Sequence, residues 1–295
     1  ITGAQASLVA NTGIDVNTSF SQGFSTISST TGDIIVSNQY SFDVPTIIAA
    51  GNVSMTSGQG LSVSNPITAN SGTVTLTANG GGIQGNNFIT AGTLAVNAVG
   101  ITLSGAITVA GTSSFNAGTG VITLTNSSND FTGDVTLNST GANVSITDAN
   151  ALTLATPALG TNTGVTAIAG TTLTLSAFNL SIGTGNIDFQ SLSGTLATNG
   201  TLTTSSGTVS LKGSAGVTVG HSITTTSGAV SVIGAGINLT STNTIDAGSS
   251  TITIDGNDGA ITLTGALTTT NTSATAIIIQ NASTVSLGNI TTGAT

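Results

Sequence analysis

The sequence predicts an all-β chain, a parallel β-helix with three short strands in each coil of about 21 residues. Apolar residues alternate with Ser or Thr in short triplets, so one side of each strand faces a core and the other faces water. Runs rich in Gly and Asn separate the triplets and supply the backbone conformations of corners. The same order of triplets returns once per repeat, which places equivalent strands on top of one another, whereas a sandwich would fold them back through tight hairpins.

Taken in chain order, residues 1–50 form a less regular beginning to the helix, and within them Ile34-Ile35-Val36, Tyr40-Ser41-Phe42 and Thr46-Ile47-Ile48 read as one coil. Residues 51–295 read as the regular part. Val53-Ser54-Met55, Val74-Thr75-Leu76, Leu94-Ala95-Val96, Val135-Thr136-Leu137 and Ile187-Asp188-Phe189 are assigned to the register of the C-terminal repeats. Their starts lie on a grid of about 20 to 22 residues. The stretch ATPALGTNTGVTAIAGTT, 155–172, is expected to leave the helix as an outward loop turned by Pro157 and Gly160.

The repeats are plainest from Ser206 onward: SGTVSLKGSAGVTVGHSITTT, then SGAVSVIGAGINLTSTNTIDA from Ser227, GSSTITIDGNDGAITLTGALTTT from Gly248 and NTSATAIIIQNASTVSLGNITT from Asn271. Their triplets are Val209-Ser210-Leu211, Val217-Thr218-Val219 and Ile223-Thr224-Thr225, followed by Val230-Ser231-Val232, Ile237-Asn238-Leu239 and Thr244-Ile245-Asp246. Ile252-Thr253-Ile254, Ile261-Thr262-Leu263 and Leu267-Thr268-Thr269 continue the series. Val209, Val230 and Ile252 should therefore share one inward stack, with coils about 4.8 Å apart. Lys212-Gly213-Ser214-Ala215-Gly216 is read as a corner, and the crossover rule favours right-handed coiling.

Composition narrows the possible functions. With 38% hydrophobic and only 4% charged residues, rich in Val, Ile and Thr, the chain has the material for a core and none of the signature of disorder. The acids are Asp15, Asp33, Asp43, Asp130, Asp134, Asp148, Asp188, Asp246, Asp255 and Asp258, and Lys212 is the single Lys or Arg. A net charge of -9 without clustered cations excludes nucleic acid as a partner. No apolar run approaches a membrane span, and without Cys there are no disulfides or thiolate metal sites. The chain opens at Ile1 with no basic leader, which reads as a processed or excised portion of a larger protein.

Residues 106–156 carry a resemblance. AITVAGTSSFNAGTGVITLTNSSNDFTGDVTLNSTGANVSITDANALTLAT, above all its phrases GTSSFNAGTG, NDFTGDVTL and VSITDANALTL, resembles the repeats of filamentous-haemagglutinin-like large exoproteins. Similar short phrases, such as GTLAVNAVGITLSGAITVAG at 92–111, extend the resemblance to about half of the chain. The resemblance implies a β-helical fibre or adhesin exported by a Gram-negative bacterium, often through two-partner secretion. The family's N-terminal secretion domain is not evident here.

Candidate chemistry is sparse. Polysaccharide lyases on this fold need a base beside cation-binding acids, and glycosidases need two carboxylates across a groove. Lys212 and His221 are the only basic candidates, nine residues apart in one coil with no Asp in that repeat, and both are read as exposed structural side chains. Asp255-Gly256-Asn257-Asp258-Gly259 suits a Ca2+ loop by its oxygens and equally suits a Gly-rich turn, the reading preferred. Asp130 and Asp134, flanking Phe131-Thr132-Gly133, are read as a solvated corner. Phe20, Phe24, Phe42, Phe88, Phe115, Phe131, Phe178 and Phe189 are read mostly as core fillers, and Tyr40 is the lone Tyr. No catalytic residue, cofactor or metal ligand is assigned.

The expected function is a structural, non-enzymatic segment of an extracellular or cell-surface bacterial fibre or adhesin. Its expected partners are further copies of itself, end to end, and host or surface glycans. The competing expectation is a polysaccharide-active lyase or glycoside hydrolase. No Pro, charge or covering helix guards the strand edges after Asn271, so further repeats or stacked copies are expected there.

Overall fold

The computed structural model describes residues 7–18, 25–161, 163–177, 179–240 and 242–293. Phe20, Phe24, Phe178, Ile1 and the terminal Ala294-Thr295 lie outside the described residues. Among the described residues all regular structure is β-strand, paired in parallel one turn apart in a β-solenoid with turns about 21 residues apart. The chain divides into two compact units, Ile1–Thr140 and Gly141–Thr295.

In the second unit each turn contributes to three faces. The first face is built from Val144–Asp148, Val165–Ala169, Ile187–Ser191, Val209–Gly213, Val230–Gly234, Ile252–Asp255 and Ile277–Gln280. Val144, Val165, Ile187, Val209, Val230 and Ile252 stand in register and are all buried, so the expected stack of Val209, Val230 and Ile252 points inward. β-Branched side chains suit this position because each packs flat on its copy in the next coil. The second face stacks Leu173, Leu196, Val217, Ile237 and Ile261, and the third stacks Leu202, Ile223, Ile245 and Leu267, again buried. On the third face Ile245, not Thr244 and Asp246, points inward, one residue away from the expected triplet phase.

The outward loop expected at 155–172 is instead an ordinary turn. Val165–Ala169 pairs with Val144–Asp148 on one side and Ile187–Ser191 on the other, and Leu173 pairs with Leu152. Two of its three inward residues are Ala167 and Ala169, both fully buried, which hides the strand from a reading based on large apolar side chains.

The first unit uses the same plan. Ile34, Val53, Val74, Leu94, Ser113 and Val135 form one inward ladder. Ile187 stands in the ladder of Val209 as expected, whereas Val53, Val74, Leu94 and Val135 stack among themselves in a different sheet. The shared period of the three faces made two different faces look like one series. Phe42, Leu61, Ile83, Ile101 and Ile122 make a second ladder, and Ile47, Ile67, Ile89 and Ile107 a third. Ile67–Ala78 runs round a corner as a single 12-residue strand. Pairing already begins upstream, where Ile14–Thr18 pairs with Ile34–Asn38 and Thr26–Ser29 with Thr46–Ala49.

Buried hydroxyls hold the corners. Ser57 Oγ donates to the carbonyls of Tyr40 (2.9 Å) and Gly60 (2.8 Å), and Thr204 Oγ1 donates to the carbonyl of Gly207 (2.5 Å). Thr225 repeats this with Gly228. Each hydroxyl occupies the last inward position of its strand and satisfies a carbonyl that the ladder leaves behind as the chain turns. Gly228 lies so close to the carbonyl oxygen of Gly207 that a side chain there would collide with it. Phe42, Phe115, Phe131 and Phe189 fill the interior, Phe115 and Phe131 meeting edge to face with ring centroids 5.9 Å apart; Phe88 is the exposed exception.

Candidate functional site

The residues singled out in the sequence are dispersed. Lys212 lies within the strand Val209–Gly213, exposed on its outward side between Gln190 and Ile233, and not at a corner as expected. Gly213 still pairs with Gly234 as the last inward position, and its missing side chain is what made the strand appear to stop at Leu211. His221 is exposed just before Ile223–Thr225, as expected, which puts a whole face between it and Lys212. The neighbouring coil supplies the acid absent from their own repeat, since Asp188 pairs with Ser210 two residues from Lys212 on the same outward side.

Asp130 sits outward beside Thr108, and Asp134 is exposed with its carbonyl accepting from Ser113 N–H at 2.9 Å. Phe131, buried between them, turns inward.

At Asp255 the geometry is that of a turn. Asn257 and Asp258 have φ of 43° and 65°, and Gly259 N–H closes the turn on the Gly256 carbonyl at 2.7 Å. Asp255 Oδ1 accepts from Asn257 N–H at 3.0 Å, and its Oδ2 accepts from Gln280 Nε2 and Asn281 Nδ2, both at 2.9 Å. The Asn257 backbone donor and the Gln280 amide hold this carboxyl below its ordinary 3.8, with Asn281 adding to the same effect. N–H donors occupy the directions from which a cation would approach. Among the described residues no group of three or more His, Cys, Asp or Glu is placed to hold a metal ion.

A polar groove opens on the first face of the second unit, lined by Asn143, Ser145, Gly164, Thr166, Thr184 and Asn186 among others. Strand register builds it. Val144, Val165 and Ile187 are stacked inward, so the residues one before and one after each point outward in two columns. One column is Asn143, Gly164 and Asn186, where glycine leaves a gap; the other is Ser145, Thr166 and Asp188. Asn143 Oδ1 accepts from Gly164 N–H and Asn186 Oδ1 from Thr208 N–H, each at 2.9 Å, so both amides cap the next coil and keep their Nδ2 groups as donors. Asp188 is half-buried beside Thr166, and its buried Oδ1 has no hydrogen-bond partner. None of these residues stands out in the sequence. Asp188 becomes notable only when the register shows an acid in a column of hydroxyls.

A family described as repeats of unknown function (DUF5649) matches residues 79–138 of the chain. No curated protein and no solved structure matches it.

Proposed function

We propose that this chain is a structural, non-enzymatic segment of an extracellular bacterial fibre or adhesin, a stiff β-solenoid that associates lengthwise and presents its faces for attachment. The observation that carries this reading is the separation of most strands into a largely apolar inner column and an outer one dominated by uncharged polar residues. Thr153, Thr174, Ala197, Thr218, Asn238 and Thr262 follow one another outward on the second face of the second unit, between columns that are almost wholly apolar and buried. Parallel ladders resist bending and stretching through many hydrogen bonds loaded together, and the Thr, Ser and Asn exterior stays hydrated with few charges. The resemblance of residues 106–156 to the exoprotein repeats supports the same reading.

Lengthwise association is supported by the strands Ile277–Gln280 and Thr284–Leu287, which pair with the coil before them and carry Val285 and Leu287 exposed at 49% and 45%. A strand edge beside uncovered apolar side chains is a template for another coil, whether a further coil of the same chain or one of a second copy. Copies meeting head to tail make a contact that need not close and can grow. Analytical ultracentrifugation across a wide concentration range, with electron micrographs of the same samples, tests this. Rods that lengthen with concentration are expected, and a persistently monomeric species would refute the lengthwise contact.

A further inference from the structure

We infer that a further groove, on the first unit, binds an amine-bearing oligosaccharide, with Asp43 as the contact for the amine and Ser62 and Gln84 as contacts for hydroxyls. This deepens the attachment role proposed above and rests on that reading for its biological meaning.

Register builds the groove. Phe42, Leu61 and Ile83 are buried in line, so the residues before them, Ser41, Gly60 and Gly82, and those after them, Asp43, Ser62 and Gln84, form two outward columns. All six line the groove, whose volume is about 500 Å³, the size of a ligand cleft. Asp43 and Gln84 are exposed and Ser62 is half-buried, so all three side chains are open to a molecule lying there. Gly60 and Gly82 leave bare backbone beside that polar column. Ser41, the one member of its column with a side chain, is already engaged: its Oγ accepts from the Gly60 N–H at 3.1 Å and donates to Gln59 Oε1 at 3.4 Å.

Charge and hydrogen-bonding capacity select the ligand. The first unit contains Asp15, Asp33, Asp43, Asp130 and Asp134 and no Lys, Arg or His, so Asp43 has no cation in its own unit to pair with. An anion is repelled by that field. A metal ion finds a single carboxylate in the lining, and among the described residues no group of three or more His, Cys, Asp or Glu is placed to hold one. A linear polyamine answers Asp43 but offers only N–H donors, so the Gln84 amide N–H groups and the Ser62 hydroxyl proton gain no acceptor. A sugar carrying an ammonium supplies both kinds of contact: a charge-assisted N–H for Asp43, and hydroxyls that donate and accept for Ser62 and Gln84.

Geometry argues against a basic peptide. Leu61–Val63 is paired with Phe42–Asp43 on one side and Ile83–Gly85 on the other, so the middle of the groove offers no free edge for an added strand. Like-facing side chains of an extended peptide recur about every 6.8 Å, out of step with coils about 4.8 Å apart. An extended chain of equatorially linked pyranoses advances by nearly one coil per sugar. Asp43 to Gln84 spans two coil rises, about 9.6 Å. Successive sugars along the solenoid axis can therefore address Asp43, Ser62 and Gln84 in turn, with the C–H faces of their rings on the bare backbone at Gly60 and Gly82.

Isothermal titration calorimetry of the whole 295-residue chain tests the site, with the glucosamine hexamer, its N-acetylated counterpart and spermine as probes in a mildly acidic buffer that keeps the amines protonated. The glucosamine hexamer is expected to bind, and both other probes to bind at least about tenfold more weakly, the scale of one lost charge-assisted hydrogen bond. Asp43→Asn and Gln84→Ala, both at exposed positions, should each weaken the hexamer about tenfold on the same grounds while leaving the melting temperature unchanged. Asp134→Asn, which removes an exposed acid of the same unit outside the groove, should bind as the parent chain does. A hexamer that does not bind overturns the site. So do equal losses in Asp43→Asn and Asp134→Asn, or spermine binding as tightly as the hexamer, since either would reduce the effect to attraction by overall charge. Sedimentation of the same samples separates this from the fibre reading: rods that bind no amino sugar sink the groove alone, and a monomer that binds it sinks the lengthwise contact alone.

Discussion

Leu263 and Leu287 occupy equivalent inward positions in adjacent turns, paired directly with each other, yet one is 1% exposed and the other 45%. Leu267 and Ile290 on the third face differ in the same way, at 1% and 44%. Identical chemistry in identical register therefore yields opposite burial. In a solenoid a side chain is covered by the coil beyond it as much as by its own, so stability is close to a sum of nearest-neighbour terms along the axis.

The sharpest way to break this comparison is to truncate a covered leucine of this ladder and the exposed one. Leu239→Ala, inside the second face, should cost about 2–5 kcal/mol because the tightly stacked neighbours Val219 and Leu263 stay propped apart around the void. Leu287→Ala should cost less than about 1 kcal/mol in the dispersed chain, since little apolar surface leaves water there to begin with. Chemical denaturation of both variants provides the test, and equal losses would show that the last coil is covered as fully as the others. Where copies associate lengthwise, Leu287→Ala should instead weaken association, and sedimentation would detect the change.

A smaller effect is expected at the corners. Thr225→Val keeps the shape but removes the donor to the Gly228 carbonyl, leaving a buried acceptor unpaired, and should cost about 1–3 kcal/mol. A variant as stable as the parent in thermal unfolding would mean that water takes over the bond.

Asp255 bears on the terminal coil from another side, because its carboxylate is bound by Gln280 and Asn281. Its acidity is increased in the folded chain, so its contribution is present above the ordinary 3.8 and disappears as pH falls below that value. The group is largely exposed, and the effect should be small. Asp255→Asn should reduce the acid dependence of melting between pH 4 and pH 2, roughly the carboxylate range, and lower the melting temperature slightly at pH 7, where the contribution is fully present.

Least of all is expected from Lys212 and His221. Replacing both by Ala should leave the circular dichroism spectrum and rod length unchanged. Loss of a polysaccharide-cleaving activity with the fold intact would instead favour the enzyme reading.

Much of the fold was legible because a β-solenoid writes its period directly into the chain. The i, i+2 pattern of Val209 and Leu211, Val230 and Val232, Ile252 and Ile254 marks inward positions wherever large β-branched or aliphatic side chains occupy them. It fails where the inward residue is small, as at Ala167, Ala169 and Gly213, or where three faces with one shared period can be mistaken for one another, as Val135 and Ile187 were. The groove was illegible for a related reason. Asn143, Thr166 and Asn186 are ordinary residues in their own repeats, separated by 23 and 20 positions, and nothing local marks them as neighbours.

By itself, the sequence determined the strand class, the coil length and which residue types face the core, since all three depend on local alternation and its recurrence. The tertiary structure decided which coil lies against which, and with it the isolation of Asp188 among hydroxyls, the occupation of Asp255 by amide donors and the contrast between Leu263 and Leu287. Those features come from side chains one whole turn apart along the chain and only one strand spacing apart in space.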